Sequence, residues 1–194
     1  MEKRARGRLG APTVHKFGGA SLDDDAAVRN ALSIVEGGPR PAVVVVSALA
    51  GVTDSLLALA AELSCGNDRE VRRRATELER RYVSVARGVA RSGDARGPVL
   101  AVIREVFGEL SALTRAPLIL RELSPAAVDR VVAFGEELAA QIFAAGLSSR
   151  GVASEYVSAL DLVVTDGRPG QASPDLAATD RRVRSRLRPH LRRG

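Results

Sequence analysis

The chain of 194 residues has one cysteine, two histidines and no tryptophan. A lone Cys65 excludes an internal disulfide. With only His15 and His190 beside it, there is no set of thiolate and imidazole ligands at zinc-site spacing, and no metal ligand is assigned. Aromatic residues make up 3% of the chain, so its core has to be built from Val, Leu, Ile and Ala. The aromatics that stack bases in single-strand nucleic-acid binders are missing too. No apolar run approaches the roughly 20 residues that cross a bilayer, and no apolar stretch follows the basic start as it would in a secretion signal. These absences point to the cytoplasm. Lysine is almost absent: Lys3 and Lys16 stand against 27 arginines. A chain that writes nearly every cation as Arg and keeps one internal Lys has a use there for a compact ammonium.

The formal charge of +6 is unevenly spread. Residues 1–10 hold four Lys/Arg and one acid, and residues 181–194 hold seven Arg and no acid, so the stretch between them is net negative. The basicity belongs to the ends. Residues 1–10 read as a disordered basic leader and 189–194 as a basic tail. Basic ends can touch phosphate backbones, but no nucleic-acid module accompanies them, and nucleic acid is not an expected partner.

The internal lysine introduces Lys16-Phe17-Gly18-Gly19-Ala20-Ser21. A short strand, Thr13 to Phe17, leads in, and Asp23, Asp24 and Asp25 follow as the acid-rich first turn of a helix reaching Glu36. Adjacent glycines at such a turn admit a ligand close to the backbone, and the amides there can face an anion. A lysine beside it supplies the charge that phosphoryl transfer neutralises. Gly-Gly is also ordinary turn chemistry, and a lysine near it is commonly solvated. Next comes Pro41 to Val46, a continuous β-branched run of the kind found in a parallel strand covered on both faces. Ser47-Ala-Leu-Ala-Gly-Val-Thr53-Asp54 leaves its carboxyl end, where ligands bind in open parallel sheets, before a helix from about Ser55 to Leu63. Thr53 or Asp54 can equally serve as that helix's cap.

Helical spacing then predicts an Arg-rich helix from Asp68 to Arg91, stopped at Ser92-Gly93, and another from Pro98 to about Leu113. Together they read as a helical insertion over about 68–113 that stands off the sheet. Ser124-Pro125 is a clean helix start, and an apolar stripe from Val128 to Leu147 runs to Gly151. Glu136 falls on or near that stripe, whereas Glu137 points outward as a surface acid. Ala153 to Val157 and Leu162 to Thr165 read as short strands. A polar, turn-rich loop over 165–173 leads to a last helix ending near Leu187. The pattern predicts an α/β fold with a mostly parallel sheet.

Four stretches, Lys16–Ser21, Val43–Asp54, Phe134-Gly-Glu-Glu137 and Thr165–Asp175, occur in an order and spacing that resembles the N-terminal part of an aspartate kinase catalytic domain, in the amino-acid kinase superfamily. The resemblance covers nearly the whole chain, about 11–188. It implies a three-layer αβα sandwich and transfer of the γ-phosphoryl group of ATP, with Mg2+ carried on the substrate phosphates, to the β-carboxylate of aspartate. It implies that Lys16 stabilises the transferring group, with Gly18, Gly19 and Ser21 at the phosphates. Ser47 and Thr53 would contact aspartate, and Glu136 its ammonium group. Two departures stand out. Ala20 replaces the family's usual Thr, and the Arg-Gly-Gly-Ser-Asp-Tyr type motif and nucleotide-binding strands of the second half do not occur. A homo-oligomer or a separate C-terminal half would then complete the site. The alternative is a non-catalytic binding or regulatory protein that keeps the substrate lobe.

Overall fold

The computed structural model describes residues 11–90 and 93–192; the expected leader, the Ser92 stop and the end of the basic tail lie outside them. Strand β1, Thr13–Phe17, pairs in parallel with β2, Ala42–Val46. Between them a short 3₁₀ turn, Gly19–Leu22, precedes helix α1, Asp25–Glu36. Asp24 caps α1 by accepting from the amide of Ala27 at 2.7 Å. The parallel βαβ unit thus forms where the sequence placed it.

Five further helices follow: α2 Val52–Cys65, α3 Asp68–Val89, α4 Gly93–Leu120, α5 Pro125–Ser148 and α6 Leu176–Leu191. Phe17, Val44 and Val46 turn one sheet face into a core shared with α1, α2 and α5. α5 lies against β2, with the Phe17 and Phe143 rings 5.6 Å apart. Helices α3 and α4 lie against the other helices rather than against the strands. They nevertheless enter the same core through Leu78, Tyr82, Val85, Ile103 and Leu110. An insertion that only stood off the sheet would not contribute these side chains.

The opposite sheet face corrects one expectation. Val14 and Val45 are 64% and 47% exposed, so the β2 run is not covered on both faces by the described residues. Among the described residues the sheet has two strands. Ala153 to Val157 carries no strand pairing, and the Leu162 to Thr165 piece contributes only a single bridge, Thr165 to Pro174. Strand propensity there has no neighbour to satisfy it.

Helix limits also moved. α4 starts before Pro98 and runs through Pro117 to Leu120, beyond the expected stop at Leu113. α5 is long and apolar enough to cross a membrane by length and composition alone. Its apolar stripe is instead occupied inside the protein, where Val131, Phe134, Leu138, Ile142 and Phe143 are buried.

Candidate functional site

The two loops leaving the carboxyl ends of β1 and β2 meet. The Ser47 amide donates to the Phe17 carbonyl at 3.0 Å, extending the parallel ladder by one bond. A Cβ at Gly19 would lie 3.4 Å from the Ala48 carbonyl oxygen, so the glycine turn sits directly on the loop that follows β2. Lys16 is exposed on the open face, and its Nζ curls back over the turn, 3.3 Å from where a Gly18 Cβ would stand. A side chain at Gly18 would compete with the ammonium for that space. The Ser21 amide closes the turn on the Gly18 carbonyl at 2.9 Å. The turn does not run straight into α1. A 3₁₀ segment intervenes, and of the three aspartates Asp24 is the cap while Asp23 pairs with Arg81 at 3.4 Å.

Helix α2 begins at Val52, three residues earlier than expected, because Gly51 takes the cap position in the left-handed conformation at φ 71°. Thr53 and Asp54 therefore lie inside the first turn, and neither is the cap. The half-buried Thr53 hydroxyl is not occupied by that role.

Glu136 reaches the same region through its neighbour. A Cβ at Gly135 would lie 3.0 Å from Ala48 Cβ, 3.1 Å from Val52 Cγ1 and 3.3 Å from Leu56 Cδ1, so α5 touches the β2 loop and α2 at the position before Glu136. The two adjacent glutamates differ in what they do. Glu137, expected outside, has a side chain only 15% exposed and pairs with Arg130 at 3.0 Å. Arg130 also lies over the Phe134 ring, 4.4 Å from its centroid. Glu136 has no such partner: among the described residues the side chains of Lys16, Ser47, Thr53 and Glu136 make no hydrogen bond or ion pair. The turn-rich loop is tied to α5 by the Gly170 amide, which donates to Asp129 at 2.8 Å.

Residue pattern did not reveal Tyr82. It sits on the buried stripe of α3, where it reads as a core aromatic, yet its hydroxyl donates to the Gly135 carbonyl at 2.9 Å. Burial first, and the negative charge of Glu136 second, push this phenol well above the ordinary tyrosine range. A cavity of about 790 Å³ lies along the outer edge of β2, between that strand, α5, the 153–162 segment and the end of α6. Glu136 and Glu137 line it, whereas Lys16, Gly19, Ser47 and Thr53 do not. The cluster at the strand ends carries the polar chemistry, and the cavity is mainly apolar.

The model of the amino acid kinase family matches residues 11–192. Lysine-sensitive aspartokinase 3 of Escherichia coli is 31% identical over 187 residues, covering 93% of this chain and 38% of that protein. The aspartokinase of Chlamydia trachomatis is 30% identical, covering 86% of this chain and 35% of its own length. The crystal structure of E. coli aspartokinase III in complex with aspartate and ADP superposes with a TM-score of 0.83 at 28% identity, over 95% of this chain and 39% of that one. The chain thus spans about two fifths of the length of these relatives. With its glycine turn, β2 loop and α5 in the arrangement described, the chain belongs to the amino acid kinase family.

Proposed function

We propose that the chain carries the substrate side of an aspartate kinase, an enzyme that moves the γ-phosphoryl group of ATP to the β-carboxylate of aspartate. The observation that carries this reading is the division between the adjacent acids: Glu137 is held by Arg130, while Glu136, Ser47, Thr53 and Lys16 keep their polar groups without side-chain partners. A carboxylate for an ammonium group, two hydroxyls and a lysine over a glycine turn suit an amino acid whose carboxylate accepts a phosphoryl group. The acceptor is already ionised at neutral pH, so positioning and charge neutralisation can carry the step without a general base. Lys16 would stabilise the transferring group, with Gly18, Gly19 and Ser21 beside the phosphates. Aspartate and ADP occupy the superposed E. coli structure, which supports both ligands for this chain.

Magnesium would arrive on the nucleotide phosphates. Among the described residues no group of three His, Cys, Asp or Glu could cage an ion, and the chain's own contribution is the Lys16 charge and the turn amides. Ala20 leaves this turn without the hydroxyl that the family pattern carries there. The outer edge of β2 is unpaired, and a second copy or the remaining part of the kinase would cover it. The setting is cytoplasmic biosynthesis of the amino acids derived from aspartate.

A second reading is favoured by Ala20, which leaves the turn without that hydroxyl: a non-catalytic binding or regulatory protein that keeps the substrate lobe. Hydroxylamine trapping of aspartyl phosphate, with ATP, magnesium and aspartate supplied, separates the two. Product that vanishes in Lys16→Ala supports the kinase. No product with aspartate still bound supports the second reading, and loss of both overturns the substrate assignment.

A further inference from the structure

Helix α3 grips the segment between the glycine turn and α1 at two places. Arg81 donates from Nη2 to the Asp23 carbonyl at 2.9 Å, and the same nitrogen lies 3.4 Å from the Asp23 carboxylate. About two turns further along α3, Arg29 of α1 donates to the Gly88 carbonyl at 3.2 Å and pairs with Asp25. The two helices approach closely there, since a Cβ at Gly88 would stand 2.6 Å from the Asp25 Cβ. The start of α1 is thus seated on α3, and Arg81 extends that seat to the residue that ends the 3₁₀ turn.

Asp23 follows the last residue of Gly19–Leu22, where carbonyls lack partners within the helix. Arg81 supplies one with a charged donor. The Asp23 carboxylate is 70% exposed and its ion pair is screened, so the bond to the main-chain carbonyl is the one that fixes position. The turn needs such a tie. Gly18 and Gly19 have no side chains to pack, so their amides lie where the two ends of the turn put them. Strand β1 holds the entry, the Ser21 amide closes on the Gly18 carbonyl at 2.9 Å, and Arg81 holds the exit.

We propose that Arg81 is a positioning residue for phosphate binding: its bond to the Asp23 carbonyl fixes the exit of the Gly18–Ser21 turn and so keeps the turn amides and the Lys16 ammonium directed at one phosphate position. The ligand class is a di- or triphosphate, and the proposal rests on the assignment of that turn to phosphates. The tie comes from the Arg-rich helical insertion. It gives one arginine of that helix a part in the site, while its neighbour Arg80 stays exposed.

The test is an NMR titration of the 194-residue chain with inorganic tripolyphosphate, read at the Gly18 and Gly19 amides, for wild type, Lys16→Ala, Arg81→Ala and Arg80→Ala. Arg81→Ala should weaken binding by about threefold to tenfold, the size of one hydrogen bond. Arg80→Ala removes the same charge without that bond and should alter the affinity by less than about twofold. Equal losses in the two variants, or unchanged affinity in Arg81→Ala, would overturn the tie while a loss in Lys16→Ala keeps the phosphate assignment intact. Turn amides that do not respond in wild type, or full affinity in Lys16→Ala, would remove both. Aspartate affinity should change by less than about twofold in Arg81→Ala, and a loss shared by both ligands would mean general damage and overturn the tie. Without any ligand, the Ser21 amide should exchange at least about tenfold faster in Arg81→Ala than in wild type or Arg80→Ala, and unchanged exchange would contradict the proposal.

Discussion

A Cβ added to Gly135 would stand 3.0 Å from the Cβ of Ala48, with Val52 and Leu56 almost as close. Three buried neighbours on two elements cannot all give way, so Gly135→Ala should lower stability by about 1–3 kcal/mol from overpacking, more than the roughly 1 kcal/mol that alanine gains in a helix. Gly108→Ala makes the contrast. On helix α4, a Cβ at Gly108 would meet nothing within 4 Å. That variant should be as stable as wild type or up to about 1 kcal/mol more stable. Urea unfolding of the two variants decides the point, and equal losses would contradict this view of the α5 contact.

The outer edge of β2 should be visible in hydrogen exchange. The Thr13 amide donates to the Pro41 carbonyl and the Ser47 amide to the Phe17 carbonyl, which fixes the parallel register. Val43, Val45 and Ser47 therefore point their amides at β1, whereas Val44 and Val46 point theirs away. Among the described residues no backbone bond runs from that edge to Ala153–Val157. Slow exchange at Val43 and Val45 with fast exchange at Val44 and Val46 is expected. Equal protection would mean that the edge is covered.

Alkaline pH should destabilise the fold through Tyr82. Its folded pKa is raised, so the folded protein holds the proton where the unfolded chain has released it. The stability of this neutral, buried phenol is fully present below the ordinary tyrosine value of about 10 and is lost as pH rises above it. Tyr156, also raised by burial, adds in the same direction. Thermal unfolding from pH 8 to 11 should show the fall in wild type and a shallower one in Tyr82→Phe. Identical slopes would contradict the assignment.

Local chemistry explains what could be read in advance. β1 is announced by the Gly18-Gly19 turn that ends it, and α5 by Ser124, whose side chain accepts from the Ala127 amide at 3.2 Å. Lys16 stood out because lysine is so rare. Several misreadings concern partners that the local pattern does not encode. Glu137 is drawn inward by Arg130, seven positions back, which the apolar stripe does not encode. Ala153–Val157 has strand propensity, but pairing requires a second strand. Tyr82 meets Gly135 across 53 positions, and nothing in its helical spacing distinguishes that hydroxyl from a plain core ring.

The substrate side is the central claim, and direct binding tests it. Calorimetric titration of the 194-residue chain with aspartate, and with succinate, which lacks the ammonium group, should show aspartate bound at least about tenfold more tightly, a difference near 1.4 kcal/mol. Glu136→Gln should erase that preference with succinate affinity little changed. Aspartate that fails to bind the wild type, or a preference that survives in Glu136→Gln, would contradict the account.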